Sequence, residues 1–216
     1  MENDTPNKIK ISKEIIATLP IETFPGKIVV IDNEKDADNA VLQLNNERII
    51  GFDTETRPTF KKGKSNHVAL IQLSTHDTCY LFRINRIGFT PAIKNLLENE
   101  SLLKVGISLK DDFCMLSRLN GGQFIPRNFI ELQKFVKKYN IEDQSLQKIY
   151  GIVIGKKISK GQRLSNWEAD HLTENQQLYA ATDAWSCIKI YEVLKSGKFK
   201  SCLLYTSPSP RDVEES

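Results

Sequence analysis

The sequence lacks the features of a membrane-spanning, secreted or zinc-binding protein. None of its apolar runs approaches the ~18 residues that a membrane-spanning helix needs. The first eight residues contain neither a positive n-region nor an apolar h-region, so they are not a secretory signal. The four cysteines show no C-x-x-C spacing, which excludes zinc ribbons and dithiol redox motifs. We therefore expect a cytoplasmic protein with reduced thiols and no membrane partner.

The composition of the 216-residue chain is that of an ordinary globular domain. Hydrophobic residues make up 40% and charged residues 26%, and the net charge is +3 at pH 7. A chain of this length buries a core without disulfides or a structural metal. The mild excess of positive charge is compatible with a polyanionic partner. We predict an N-terminal extension over residues 1–26 and one domain over residues 27–201.

The last fifteen residues do not fit the rest of the sequence. Residues 202–212 read CLLYTSPSPRD, which resembles the translation of a sequencing adapter. We interpret residues 202–216 as an adapter-derived or disordered tail that is foreign to the fold.

Hydrophobic periodicity and turn residues predict alternating strands and helices. Strands are predicted at residues 27–32, 49–55, 68–74, 78–84 and 102–107. Helices are predicted at residues 35–44, 91–98, 110–119 and from Thr173 to Gly197, the last with a capping box between Thr173 and Gln176. Residues 129–139 fit either a strand or a helix, and residues 151–161 are interpreted as a flexible loop because they are rich in glycine and lysine. This order indicates a mixed α/β sheet flanked by helices.

Two acidic residues lie two positions apart on a predicted apolar strand. Asp53 and Glu55 point to the same side of that strand, and Phe52 and Thr54 point to the other. Two carboxylates on a buried face repel each other and lose hydration, and a divalent cation offsets both effects. The alternative is a strand that ends near Phe52 and leaves both acids on a solvated turn.

Further acidic residues lie on predicted helices. Asp183 is one turn after Tyr179, so the two side chains share a face of the last helix. Asp183 is either partly buried there or at the edge of the apolar stripe. Asp111 and Asp112 open another helix, where the helix dipole alone favours acidic residues.

Three segments, in order along the chain, resemble the motifs of one enzyme family. Residues 52–56 (FDTET) resemble the first motif of the DEDD family of 3′–5′ exonucleases. Residues 104–107 (KVGI), followed by Asp112, resemble the second motif. Residues 179–184 (YAATDA) have the Y-x-x-x-D form of the third motif, which defines the tyrosine (DEDDy) branch. The chain resembles the group within this branch that includes the Werner syndrome protein exonuclease domain and ribonuclease D.

This resemblance spans about residues 27–196 and implies a fold and a mechanism. The implied fold is ribonuclease H-like, with a mixed central sheet flanked by helices. The implied activity is metal-dependent hydrolysis of DNA or RNA from the 3′ end, with two divalent ions, Mg²⁺ or Mn²⁺, and release of nucleoside 5′-monophosphates. The resemblance assigns catalytic roles to Asp53, Glu55, Asp112, Tyr179 and Asp183, and metal binding to the four acids among them. It favours Asp112 over Asp111 because Asp112 lies six residues after Gly106.

Basic residues follow the first motif and lie between the second and third. Lys61, Lys62 and Lys64 come directly after the first motif, and we predict that they bind nucleic acid. A second group extends from Lys134 to Arg163, and most of its members are expected to be solvated surface residues.

Two other functions fit the same fold. The first is a catalytically silent nucleic-acid-binding module, which the complete set of four acids and one tyrosine disfavours. The second is a different metal-dependent phosphodiesterase or nuclease activity at the same site. Protein partners cannot be predicted from these residues.

Overall fold

A computed structural model of the chain describes residues 8–56 and 67–199. The strands are β1 (Lys27–Ile31), β2 (Ile49–Thr56), β3 (Val68–Ser74), β4 (Thr78–Phe82), β5 (Leu103–Gly106) and β6 (Phe129–Glu131). The helices are α1 (Lys13–Thr18), α2 (Glu34–Leu44), α3 (Ile84–Ile87), α4 (Pro91–Glu98), α5 (Leu109–Leu119), α6 (Leu132–Phe135), a 3₁₀ helix (Val136–Tyr139), α7 (Leu146–Ile154) and α8 (Glu174–Lys195). In this part of the chain, no helix has the length and apolar character of a membrane span.

The six strands form one mixed sheet in the order β1-β4-β3-β2-β5-β6. Strands β2, β3 and β4 are antiparallel neighbours, whereas β1 is parallel to β4, and β5 and β6 continue parallel to β2. The register of β2 and β3 pairs Asp53 with Gln72 and Glu55 with Leu70. The predicted mixed sheet is confirmed.

Helices cover both faces of the sheet and enclose two hydrophobic cores. One face carries α1, α7 and α8, and the other carries α2, α4 and α5. Helix α8 crosses β2 at Gly51, where a Cβ atom would lie 1.9 Å from the carbonyl oxygen of Ala184. Any larger residue at Gly51 would push the helix away, so this glycine sets how closely α8 approaches the acidic end of β2.

The residues that precede β1 pack against the domain. The backbone N–H of Phe24 donates a hydrogen bond of 3.0 Å to Thr182 Oγ1, and the Phe24 ring meets the edge of Trp185 at 5.9 Å. Glu22 accepts hydrogen bonds from Lys156 and Lys189 at 2.7 and 2.8 Å. These contacts tie the N-terminal segment to α8.

Two secondary-structure predictions are wrong. Residues 151–154 are not a loop, because α7 extends to Ile154 and ends at Gly155 in the left-handed conformation (φ 74°). Its residues Ile149, Tyr150 and Ile152 are buried in the core beneath α8. The strand predicted to reach Ile84 ends at Phe82, since Ile84 begins α3. The ambiguous segment 129–139 contains both types, a strand followed by helical turns.

The predicted start of the last helix is confirmed. Thr173 caps α8, and the side chains of Thr173 and Gln176 bond reciprocally to each other's backbone N–H. Gln176 also donates a hydrogen bond to the carbonyl of Asn166, which anchors the preceding loop on the helix. The tail over residues 202–216 lies outside the described residues.

Candidate active site

The acidic end of β2 faces helix α8. Phe52 is fully buried on the opposite face, where its ring contacts Phe113 and Phe129. Strand alternation therefore turns Asp53 and Glu55 together toward α8. Both acids belong to the strand, which runs to Thr56 and does not end near Phe52.

Asp183 of α8 lies opposite these two acids, between the helix and the sheet. One carboxylate oxygen from each of Asp53, Glu55 and Asp183 lies within 4.8 Å of the others. Asp183 is buried, and Asp53 and Glu55 are half-buried. The close crossing of α8 over Gly51 makes this distance possible.

Asp112 stands beside this group of three, held by β2. It accepts a hydrogen bond from the Thr54 hydroxyl, so the residue between the two strand acids anchors the acid from α5. The negative charge of Asp112 contributes to the raised pKa values of Asp53 and Glu55, so Asp112 interacts electrostatically with both acids. The neighbouring Asp111 is exposed to solvent. Of these two acids, Asp112 is the one that contacts β2.

Tyr179 completes the constellation from the preceding turn of α8. Its hydroxyl interacts with the Asp183 carboxylate and partly offsets the rise in the pKa of that acid that burial causes. Its ring packs on the buried indole of Trp167, with ring centres 6.1 Å apart. Burial, with the nearby carboxylates, raises the pKa of Tyr179 above its ordinary value. The phenol therefore stays protonated and acts as a hydrogen-bond donor near neutral pH.

Burial and mutual repulsion keep the carboxyl groups from ionising easily. Burial, and then the charge of Asp183, raise the pKa of Glu55 to about 9. Burial also raises the pKa of Asp183 to about 7 and that of Asp112 to about 6. For Asp53, burial and the charge of Asp183 raise the pKa well above its usual range. Carboxylate oxygens gathered in this way suit hard divalent cations, which remove the repulsion when they bind.

These pKa shifts predict that the protein loses stability as the pH rises when no divalent cation is present. The folded site keeps protons that the unfolded chain releases above its ordinary carboxyl pKa values of 3.8 and 4.5. The free energy of unfolding in EDTA should therefore fall between pH 4.5 and 9, by at least ~2 kcal/mol. Urea denaturation at fixed pH values measures this fall.

Asp183→Asn provides the control for the pH experiment, because it removes one of the repelling charges. Its stability in EDTA should change less with pH than that of the wild type. Adding excess Mn²⁺ to the wild-type protein at pH 8 should restore the stability that it loses in EDTA. A wild-type free energy of unfolding that stays level or rises over this range would contradict the pKa assignment.

Two positively charged side chains, from the loop that follows α7, interact with the acidic cluster. The positive charge of Arg163 lowers the pKa of Glu55, and that of Lys160 lowers the pKa of Asp183. Both side chains are exposed, and they line a cleft of about 440 Å³ together with Asp183, Tyr179 and Ser108. A cleft lined by two positively charged side chains and by Asp183 of the acidic cluster is suited to an anionic chain.

The other basic residues differ in their placement. Lys148 pairs with Asp143 at 2.6 Å, and Lys156 pairs with Glu22 at 2.7 Å, so these two stabilise the fold. Lys61, Lys62 and Lys64 lie outside the described residues. Their predicted role in binding nucleic acid stays a prediction.

Sequence reasoning missed one residue that positions the site. The Glu131 carboxylate accepts hydrogen bonds from the backbone N–H groups of Ser108 (3.0 Å) and Leu109 (2.8 Å). Ser108 has a left-handed conformation (φ 59°) at the start of α5. Glu131 thereby stabilises the helix start that directs Asp112 toward β2. No motif in the sequence marks this role.

Comparison with known proteins gives one consistent result. A family model described as 3′–5′ exonuclease matches residues 28–197. The chain is 34% identical over 208 residues to the mouse (Mus musculus) bifunctional 3′–5′ exonuclease/ATP-dependent helicase WRN, which covers 88% of this chain and 14% of that protein. It is 28% identical over 192 residues to a 3′–5′ exonuclease of Arabidopsis thaliana, which covers 82% of this chain and 66% of that protein. The chain thus spans less than two thirds of each of these relatives.

Solved structures have the same fold. The Nibbler EXO domain of Aedes aegypti aligns with a TM-score of 0.73 and 22% identity, covering 89% of this chain and 97% of that one. Escherichia coli RNase D aligns with a TM-score of 0.71 and 20% identity, covering 80% of this chain and 45% of that one.

Proposed function

The chain belongs to the 3′–5′ exonuclease family, and from this membership and its acidic cluster we propose that it removes nucleotides one at a time from the 3′ end of DNA or RNA, releasing nucleoside 5′-monophosphates. The family is one of hydrolases that act on phosphodiester bonds, and the resemblance carried by the three motifs is confirmed. One observation carries the proposal. Three buried or half-buried carboxylates from two distant segments lie within 4.8 Å of one another, with Asp112 beside them.

The carboxylates fit a pair of divalent ions, Mg²⁺ or Mn²⁺. Asp53, Glu55 and Asp183 offer only oxygen donors, which both ions accept. Asp112 is the fourth donor from the side of α5. Bound ions of this kind lower the pKa of water and stabilise the charge that develops on the attacking and leaving oxygens.

Tyr179 orients the attacking water in this proposal. Its hydroxyl interacts with the Asp183 carboxylate, and its ring packs against Trp167. Because the phenol stays protonated, it donates a hydrogen bond and does not act as a base. Its contribution is therefore the position of the water and not the removal of its proton.

Lys160 and Arg163 hold the phosphates of the strand next to the carboxylates. Their exposed side chains are free to turn toward a backbone in the cleft that ends at Asp183. Lys61, Lys62 and Lys64 follow β2 in sequence, and we propose that they also bind the nucleic acid. A Trypanosoma brucei RNase D with the same fold has been crystallised with the RNA U12, so RNA is one of the two substrate classes to test.

The experiment that tests the proposed function compares free and protected ends. Matched DNA and RNA oligonucleotides labelled at the 5′ end are incubated with Mg²⁺, with Mn²⁺ or with EDTA. We expect a ladder of products that shortens from the 3′ end, only with metal, together with free nucleoside 5′-monophosphates. Circular and 3′-blocked versions should remain intact.

Two other outcomes of this assay would reject the proposal. Cleavage of the circular substrate would indicate a different metal-dependent nuclease activity. Binding of the oligonucleotides without any metal-dependent product would indicate a catalytically silent binding module.

A further inference from the structure

A glutamine in the sheet is buried without a hydrogen-bond partner. The side chain of Gln72 in β3 is 0% exposed. Within the described part of the chain, neither its amide nitrogen nor its amide oxygen has a partner. An amide removed from water without compensating hydrogen bonds costs free energy of folding, so its presence at this position requires an explanation.

The position of Gln72 is next to the candidate metal ligands. It pairs with Asp53 across β2 and β3, and with Leu81 of β4 on its other side. Its neighbours Ile71 and Leu73 face the opposite core, so Gln72 shares the α8 face with Asp53. Directly opposite residues on one face of an antiparallel pair have Cβ atoms about 4.5–5.5 Å apart. The amide is thus within reach of the Asp53 side chain.

One other polar group on this face, the Thr182 hydroxyl, has partners elsewhere: it donates to the Leu178 carbonyl at 2.6 Å and accepts from the Phe24 N–H at 3.0 Å. The Ser186 hydroxyl of α8 is buried and, like the Gln72 amide, has no hydrogen-bond partner among the described residues. The residue two positions along β3 from Gln72, Leu70, is apolar. The Asp53 carboxylate, with two oxygens, is the acceptor that the sheet register places opposite the amide.

We infer that Gln72 is a positioning residue for the metal site: its amide, which is unpaired in this structure, is placed to donate a hydrogen bond to one oxygen of Asp53 and so to hold the carboxylate in the orientation that binds a divalent cation. The inference rests on the proposed function, because it takes Asp53 as a metal ligand. Carboxylates that bind metals are commonly held by hydrogen bonds from neighbouring groups, and loss of such a partner weakens metal affinity about 10- to 100-fold.

Gln72→Met tests this role, because methionine is similarly long and unbranched but lacks the amide. We expect the variant to bind Mn²⁺ about 10-fold or more weakly, as measured by isothermal titration calorimetry. Its kcat should fall while its KM for an oligonucleotide changes little. In EDTA its thermal unfolding midpoint should equal or exceed that of the wild type, because an unpaired buried amide has been removed.

Leu81→Met is the matched control. Leu81 flanks Gln72 on the strand away from the carboxylates, is equally buried, and tolerates methionine with little loss of packing. It should bind Mn²⁺ with wild-type affinity. An equal loss of affinity in Leu81→Met, or a lower unfolding midpoint for Gln72→Met in EDTA, would mean that packing and not the amide is responsible.

The result separates this inference from the proposed function. Wild-type binding of Mn²⁺ together with unchanged affinity in Gln72→Met would overturn the role of Gln72 alone. A wild-type protein that binds no Mn²⁺ would overturn both.

Discussion

Asp183→Asn is expected to lower kcat at least ~10³-fold, near the loss that follows removal of a major electrostatic stabiliser from an active site. Asparagine keeps the size of the side chain but removes the charge that α8 contributes to the group of three carboxylates. Asp53→Asn should have a similar effect from the side of the sheet. The measurement is kcat and KM on a 5′-labelled oligonucleotide in saturating Mg²⁺.

Asp111→Asn is the matched control for these substitutions. It makes the same chemical change next to Asp112, but its side chain is exposed and is not one of the three carboxylates that lie within 4.8 Å of one another. It should keep wild-type kcat. In EDTA at pH 8, Asp183→Asn and Asp53→Asn should unfold at the same or a higher urea concentration than the wild type, because buried like charges have been removed. Full activity of Asp183→Asn or of Asp53→Asn would refute the assignment of the site.

Tyr179→Phe is expected to lower kcat about 10- to 10²-fold, at or below the usual contribution of a positioned group that handles a proton. Phenylalanine keeps the ring and its contact with Trp167 but removes the hydroxyl that interacts with Asp183. The metal ligands remain, so KM and Mn²⁺ affinity should change little. Single-turnover kinetics in Mg²⁺ measure the effect on the chemical step.

A second tyrosine provides the control for Tyr179→Phe. The Tyr139 hydroxyl donates a hydrogen bond to the Leu194 carbonyl at 2.9 Å near the far end of α8. Tyr139→Phe should retain wild-type kcat. If Tyr179→Phe were also fully active while Asp183→Asn was inactive, the assignment of the metal ligands would be supported and the role assigned to Tyr179 would be rejected.

The part of the site that lies on one strand could be predicted from the sequence. Strand alternation alone places Asp53 and Glu55 on one face, since Phe52 and Thr54 must point the other way. The approach of Asp183 could not be predicted in this way. Helix α8 is buried on several sides, so its apolar pattern does not reveal which face meets β2. The contact between Gly51 and Ala184 decides this, and it depends on tertiary packing.

Two other features depend on contacts that are distant in sequence. Glu131 orders the start of α5 from more than twenty residues away, and β6, which carries it, has only three residues. Gly151 suggested a flexible loop, but it lies within α7, where a Cβ atom would be 3.2 Å from Leu19 and 3.3 Å from Ile11. There the glycine permits close packing with the N-terminal segment and does not provide flexibility.

The central claim is that the carboxylate cluster binds the divalent ions used for hydrolysis, and Mn²⁺ titration tests it most directly. Isothermal titration calorimetry at pH 8, with a nucleoside 5′-monophosphate present, compares the wild type with Asp183→Asn and Asp111→Asn. We predict two Mn²⁺ ions per chain for the wild type and for Asp111→Asn, and the loss of at least one ion for Asp183→Asn. Equal Mn²⁺ binding by the wild type and Asp183→Asn would contradict the account.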